Sequence, residues 1–104
     1  MPIRSRFIWG FKDIPFDDPR LWELPALVRD FRAGRLPPGW RGNRVFENWS
    51  NDLPPRHHGY YKEFYLGTSI ESGALRVVLG DNGEVYITGN HYTDFRQVLQ
   101  LPTL

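Results

Sequence analysis

Apolar and polar residues alternate along three short runs of the chain, Tyr60–Leu66, Leu75–Leu79 and Glu84–Thr88. A period of two marks strands, because successive side chains of an extended backbone point to opposite faces. In the first run Phe64 and Leu66 share one face, while Tyr61, Glu63 and Tyr65 share the other. In the second, Leu75, Val77 and Leu79 oppose Arg76 and Val78. Asp81-Asn82-Gly83 joins the second and third runs as a tight hairpin turn, since Asn-Gly supplies the positive backbone angles such a turn needs. Two further strands are expected at Arg44–Asn48, with Phe46 inward, and at Asp94–Leu99, with Phe95 and Leu99 apolar. Gly67–Gly73, small and polar, reads as a loop.

The N-terminal half changes period. Asp17-Asp18-Pro19 is a helix start, an acidic cap followed by proline at the first helical position. Pro25 cannot sit inside a helix without breaking a hydrogen bond, so a short turn is expected at Pro19–Glu23 and the main helix at Pro25–Ala33, stopped by Gly34. Leu24, Leu27, Val28 and Phe31 form its apolar stripe, and Arg29, Asp30 and Arg32 read as solvated charges. Ile3–Phe11 alternates weakly, as an edge strand or a packed arm. Arg35–Asn43 and Trp49–His58 carry the proline, glycine and asparagine of loops. Trp40 and Trp49 are read as packing residues rather than stacking platforms. The order is a helix, then an antiparallel meander: an α+β domain, with residues 1–43 as arm, helix and loop and residues 44–104 as the sheet.

Composition narrows the class. A chain of 104 residues with 40% hydrophobic and 24% charged content suits one globular domain. It has no cysteine, hence neither disulfides nor a thiolate metal site. No apolar run approaches a membrane span, and the brief apolar patch after Arg4 and Arg6 is too short for a leader. The formal net charge of +1 says little about partners. The adjacent His57 and His58 point apart in an extended chain, and no third ligand has suitable spacing, so no metal site is expected.

Aligning the apolar faces across the sheet brings Glu63 and Arg76 out together on the open face, where the loop exposing His91 can close over them. A carboxylate, a guanidinium and an imidazole converging there have no packing purpose. They suit acid–base chemistry on an anionic substrate.

Val45-Phe46-Glu47-Asn48, Leu53-Pro54, Gly59-Tyr60-Tyr61-Lys62-Glu63-Phe64, Arg76-Val77-Val78 and Tyr86-Ile87-Thr88-Gly89-Asn90-His91-Tyr92-Thr93-Asp94-Phe95 resemble, in order, the microbial guanyl-preferring ribonucleases, the barnase-like family. The resemblance covers about Val45 to Phe95, and the N-terminal helix only in outline. It implies a helix packed on a curved antiparallel sheet and cleavage of single-stranded RNA without metal or other cofactor. Glu63 would take the proton of the ribose 2′-hydroxyl as that oxygen attacks phosphorus. His91 would protonate the departing 5′-oxygen, and Arg76 would neutralise charge on the non-bridging oxygens. Phe46, Asn48, Trp49, Ser50, Lys62 and Tyr92 would bind the substrate.

The departures from the family pattern are specific. A second arginine four residues before the Arg76 position is Ser72 here, so that phosphate clamp is missing unless Lys62, Arg56 or an arginine of the N-terminal half replaces it. The Asn-Arg-Glu of the guanine loop is Asn48-Trp49-Ser50. The glutamate that pairs with the guanine edge is therefore lost, although Glu47 or Asp52 could supply a carboxylate. The resemblance further implies a monomeric toxin, secreted or delivered into target cells and acting in the cytoplasm, with a small acidic inhibitor as partner and no membrane association. The alternative is a non-catalytic RNA-binding or protein-interaction domain that kept the fold. Retention of both Glu63 and His91 favours the enzyme.

Overall fold

The computed structural model describes residues 18–98 of the chain. The arm or edge strand expected over Ile3–Phe11, and Leu99, lie outside them. Asp18 caps a 3-10 turn over Pro19–Glu23, its carboxylate accepting from the Arg20 backbone N–H at 2.9 Å. Helix α1, Leu24–Arg32, follows with Pro25 in its first turn, where the missing N–H has no partner to lose. It ends before Gly34, whose φ of +70° suits glycine.

The sheet holds five strands in sequence order, all antiparallel: β1 Arg44–Val45, β2 Tyr61–Phe64, β3 Arg76–Gly80, β4 Val85–Thr88 and β5 Arg96–Gln97. The α+β reading holds, with strands shorter than the alternation suggested. The first expected strand, Arg44–Asn48, keeps its ladder only as far as the Phe46 N–H bond to the Tyr61 carbonyl, since Asn48 turns the chain at a φ of +57°.

One expectation fails at Gly67–Gly73, which contains a one-turn helix, α2, over Ser69–Ser72. Its cause was present in the sequence as Thr68-x-x-Glu71, a capping box. The Thr68 hydroxyl accepts the Glu71 N–H, and the Glu71 carboxylate accepts the Thr68 N–H.

Both faces of the sheet are packed. On the helix side Leu24, Leu27 and Val28 meet Phe64, Leu66, Leu75, Val77, Leu79, Val85 and Ile87. Phe31 is partly buried edge-on against Phe64, at 5.7 Å between ring centroids. The opposite face, expected to be open, is half filled. Leu53, Tyr60, Tyr61, Val78 and Tyr86 bury themselves there, with Phe46, Tyr92 and Phe95 against them. Fifteen per cent aromatic content finds its use in this second cluster. What remains open is a cleft beside Glu63 on β2.

The hairpin between β3 and β4 forms where expected, by a different route. Only Gly83 has a positive φ, +91°, while Gly83 N–H bonds the Gly80 carbonyl and Gly80 N–H bonds the Glu84 carbonyl. This is a turn closed by a glycine bulge rather than a pair of left-handed residues. Arg32, expected as a free surface charge, donates to the Gly83 carbonyl at 2.6 Å and ties α1 to the turn. A Cβ on Gly83 would lie 3.2 Å from that guanidinium. Gly83→Ala should therefore lower unfolding free energy by about 1–2 kcal/mol, the cost of a left-handed side-chain-bearing residue. Urea denaturation at equilibrium measures it, and an unchanged midpoint would show that the turn is unstrained.

Candidate active site

Glu63 lies on β2 directly opposite Arg44 of β1 and Val78 of β3. Alternation puts it on the face of Tyr61, away from α1, as the sequence indicated. Its two carboxylate oxygens are divided between two partners. Arg44 Nε donates to Oε1 at 2.5 Å and the Tyr92 hydroxyl donates to Oε2 at 2.6 Å. The carboxylate is largely enclosed, with 12% of its side-chain surface exposed, whereas Arg44 is 65% exposed. The bond to Glu63 pushes the Arg44 pKa above its ordinary value. Burial first, and then the bond to Glu63, pushes the Tyr92 hydroxyl well above the usual tyrosine range. Tyr92 is therefore a proton-bearing donor at any working pH.

Tyr92 connects Glu63 to His91. The imidazole is exposed, its ring centroid 4.8 Å from that of Tyr92. Both residues adopt positive φ, +55° and +71°, an arrangement that side-chain-bearing residues rarely take. The buried Thr88 and the side chain of Asn90 hold it. The Thr88 hydroxyl donates to Asn90 Oδ1 at 2.8 Å and accepts the Tyr92 N–H at 3.2 Å, and the same Oδ1 accepts the Asp94 N–H. The His91 N–H reaches across to the Ala74 carbonyl at 2.9 Å. Phe46 stacks on Tyr92 at 5.3 Å, and Phe95 closes edge-on against Phe46.

Arg76 shares the face, at the head of β3. Its guanidinium lies 4.7 Å above the Tyr65 ring, and Nη1 donates to the carbonyls of Gly73 and Leu75. Nε is buried and makes no hydrogen bond among the described residues. Ser72, where the resemblance sought a second arginine, is fully buried. Its hydroxyl donates to the Leu75 carbonyl at 2.6 Å and accepts the Leu66 N–H. The site of that phosphate clamp has become a structural turn.

A cleft of about 320 Å³ opens beside Glu63 and Tyr92, lined by Phe46, Glu47, Asn48, Trp49, Ser50 and Asp52 among others. Asn48 shapes its rim. The side-chain amide donates to the Leu53 carbonyl at 2.9 Å and accepts the Leu53 N–H at 3.1 Å, closing the loop as a ring. Glu47 lies 3.1 Å from His58. Trp49, expected to pack, does not: it is 87% exposed at the edge of the cleft, because the left-handed turn at Asn48 directs the chain away from the core. Trp40 is 40% exposed, with the Arg41 guanidinium 5.4 Å from its ring.

Four other cations do not join this cluster. Lys62 alternates to the helix side, where it lines a hollow with Phe31 and Leu36 and donates to the Gly59 carbonyl. Arg41 pairs with Glu23 at 3.6 Å. Arg56 lies over Tyr60 and 3.8 Å from Glu84. Arg32 caps the hairpin turn. The cation that does join the cluster is Arg44, which the sequence reading placed only in the first sheet strand. Its signal was available, since it stands two positions before the inward Phe46 and so shares that face.

The sequence model of the ribonuclease family matches residues 23–99. Guanyl-specific ribonuclease St of Saccharopolyspora erythraea is 37% identical over 87 residues, covering 78% of this chain and 86% of that protein. A crystal structure of ribonuclease Sa2 with exo-2′,3′-cyclophosphorothioate superposes with a TM-score of 0.62 at 30% identity, over 81% of this chain and 90% of that one. Another, with guanosine-2′-cyclophosphate, gives 0.60 at 32% identity, over 75% and 86%. Sequence and fold agree: this chain belongs to the microbial guanyl-preferring ribonucleases and is an RNA-cleaving enzyme.

Proposed function

We propose that the protein cleaves single-stranded RNA by attack of a ribose 2′-oxygen on the adjacent phosphorus, with Glu63 as base, His91 as acid and Arg76 as a charge-stabilising cation. The observation that carries this reading is the Glu63 carboxylate itself, enclosed at the side of a cleft and joined through Tyr92 to the loop that presents His91. A fixed Tyr92 donor and a paired Arg44 orient the carboxylate, so that it meets a substrate hydroxyl in one geometry. Glu63 removes the 2′-proton as the 2′-oxygen bonds to phosphorus. The 5′-oxygen departs with a proton from His91, leaving a 2′,3′-cyclic phosphate and a new 5′-hydroxyl. Water opens the ring with the two roles exchanged. Base, acid and guanidinium supply every group these steps need, so the reaction is proposed to be independent of metal.

Labelled RNA incubated with the protein in chelator should yield fragments ending in 2′,3′-cyclic phosphate. Glu63→Ala and His91→Ala should each lower the rate by about two to four orders of magnitude while the protein stays folded. Chelator-sensitive activity restored by magnesium would refute the metal-free scheme. Near-parental rates in either variant would refute its assigned role, and no cleavage by the parent would favour the non-catalytic binding domain.

The cleft also bears on base choice. The relative in Saccharopolyspora is named as guanyl-specific, whereas Ser50 here has only a short hydroxyl where the family carries a glutamate. Glu47 is engaged with His58, and Asp52 is the other carboxylate at the cleft. Trp49, standing free at its edge, offers a face on which any base can stack. Guanine selectivity is therefore proposed to be weaker than in the family at large. A donor left unmatched costs on the order of 1–3 kcal/mol, which converts to about a 5- to 150-fold loss of preference. Cleavage after G, A, U and C in otherwise identical dinucleotides measures it. Strict guanine specificity would refute this reading and point to Asp52 or a released Glu47.

The remaining proposals concern setting. The protein is proposed to act as a monomeric toxin, secreted or delivered into target cells, and held inactive in its producer by a small acidic inhibitor. Among the described residues no helix is long and apolar enough to cross a membrane. A face that offers Arg44, Arg76 and His91 to a phosphate can equally receive the carboxylates of a protein. Such an inhibitor should associate fast and with strong salt dependence. Arg76→Ala should weaken its binding by a few kcal/mol if a desolvated charge pair is broken. Unchanged affinity at low and moderate salt would place the inhibitor elsewhere.

A further inference from the structure

Arg44 is the one residue of the cluster whose chemistry the scheme above leaves partly unused. It stands across the ladder from Glu63, so strand register fixes the pairing and not a flexible approach. The guanidinium presents five N–H donors in a planar fork. Only one nitrogen, Nε, is engaged, on Glu63 Oε1. The two terminal nitrogens make no hydrogen bond among the described residues. The side chain is 65% exposed against 12% for Glu63, so the cation lies on the solvent side of the base, where a substrate must pass.

Packing does not account for it. An ion pair this exposed adds little to folding, and the terminal nitrogens bond no carbonyl among the described residues. Other cations cannot take its place. Arg76 has Nη1 committed to two backbone carbonyls and its plane against Tyr65. Lys62 points to the helix side, and Arg41 and Arg56 are paired elsewhere. Ser72 is buried and uncharged. A phosphodiester enters with one negative charge and gains another on its equatorial oxygens as the 2′-oxygen adds. One partly committed guanidinium faces that increase alone unless Arg44 contributes.

Geometry favours the contribution. The attacking 2′-oxygen must come within about 2.6–3.2 Å of Glu63 to lose its proton, and within about 3–3.5 Å of phosphorus to react. The phosphorus is thereby confined to a few ångströms from the carboxylate. Arg44 is held to that same carboxylate through Nε, and its side chain is 65% exposed, so the terminal nitrogens are accessible to a substrate. We propose that Arg44 is a second phosphate-binding catalytic cation: Nε stays on Glu63 while the terminal N–H groups donate to a non-bridging oxygen, coupling the position of the base to the position of the phosphate. This inference rests on the reading of Glu63 as the base.

The test combines turnover with a measurement that needs none. Arg44→Ala, Arg44→Lys and, separately, Glu63→Ala are compared for kcat/KM on a dinucleotide, for the dissociation constant of inorganic phosphate by titration, and for midpoint of unfolding. Arg44→Ala should lower kcat/KM by about 10²-fold, as for loss of one oxyanion donor, and weaken phosphate binding by roughly tenfold. Arg44→Lys, which keeps the charge and loses the fork, should recover part of both. Lowered turnover with parental phosphate affinity would make Arg44 a positioning residue for Glu63 and overturn the proposal, as would parental values of both. If Glu63→Ala retained the parental rate, the base assignment would fail instead. The phosphate affinity of Arg44→Ala would then still decide whether Arg44 binds the anion. Should Arg44→Ala fail to fold, the lysine variant carries the same comparison: full parental phosphate affinity and turnover in it would overturn any role for the fork.

Discussion

Antiparallel register gives Glu63 its surroundings. With Glu63 across from Val78, and Arg44 across from Glu63, the carboxylate faces Tyr92 and the cleft while its neighbours Lys62 and Phe64 face α1. A one-residue slip would exchange the two sets, burying the charge among Leu24, Leu27 and Val28 and exposing Phe64. The hydrophobic alternation that builds the core therefore also places the Glu63 carboxylate. Folding and the proposed chemistry make the same demand on β2, and the penalty for burying an unpaired carboxylate guards the geometry around Glu63.

The second cluster extends the same principle to the loops. Phe46, Tyr92 and Phe95 come from β1's extension and the segment before β5, and they pack against Tyr61, Val78 and Tyr86. Phe46 and Tyr92, which secure these connections to the sheet, also line the cleft. Tyr92 serves twice, with its ring on Phe46 and its hydroxyl on Glu63. The Tyr61 hydroxyl likewise leaves the apolar layer to donate to the Pro54 carbonyl, anchoring the loop that carries Asn48 to Asp52.

Much of this was legible because period and punctuation are local. Pro19, Pro25 and Gly34 marked the 3-10 turn and α1 almost to the residue, and the alternation from Tyr60 to Thr88 separated the faces of three strands. Glu63, Arg76 and Tyr92 do share one side of the sheet, with His91 carried by the adjoining loop. What escaped was set by partners distant in sequence. How far the far face is covered depends on loops folding back, which no strand pattern reveals. Arg44's pairing needed the β1–β2 register, and Lys62's exclusion followed from applying alternation to a residue that motif position had favoured. Trp49 was misjudged because aromatic identity argues for burial, while the left-handed turn before it decides direction. The α2 turn was a missed local signal, written in Thr68 and Glu71.

Two consecutive left-handed residues at His91 and Tyr92 set a limit on how robust this protein can become. Each costs about 1–2 kcal/mol relative to an ordinary conformation, and glycine at either position would remove the cost. Yet these are the residues whose imidazole and phenol complete the cluster around Glu63. At the exposed His91, selection for heat resistance alone would drift towards glycine and erase the proposed acid while leaving the fold sound, whereas at Tyr92 the packing of the ring on Phe46 opposes the same change. If His91 is the acid proposed above, the loop is a place where durability and activity pull the sequence in opposite directions, and the hydroxyl of Thr88 and the amide of Asn90 are what hold it in its costly shape.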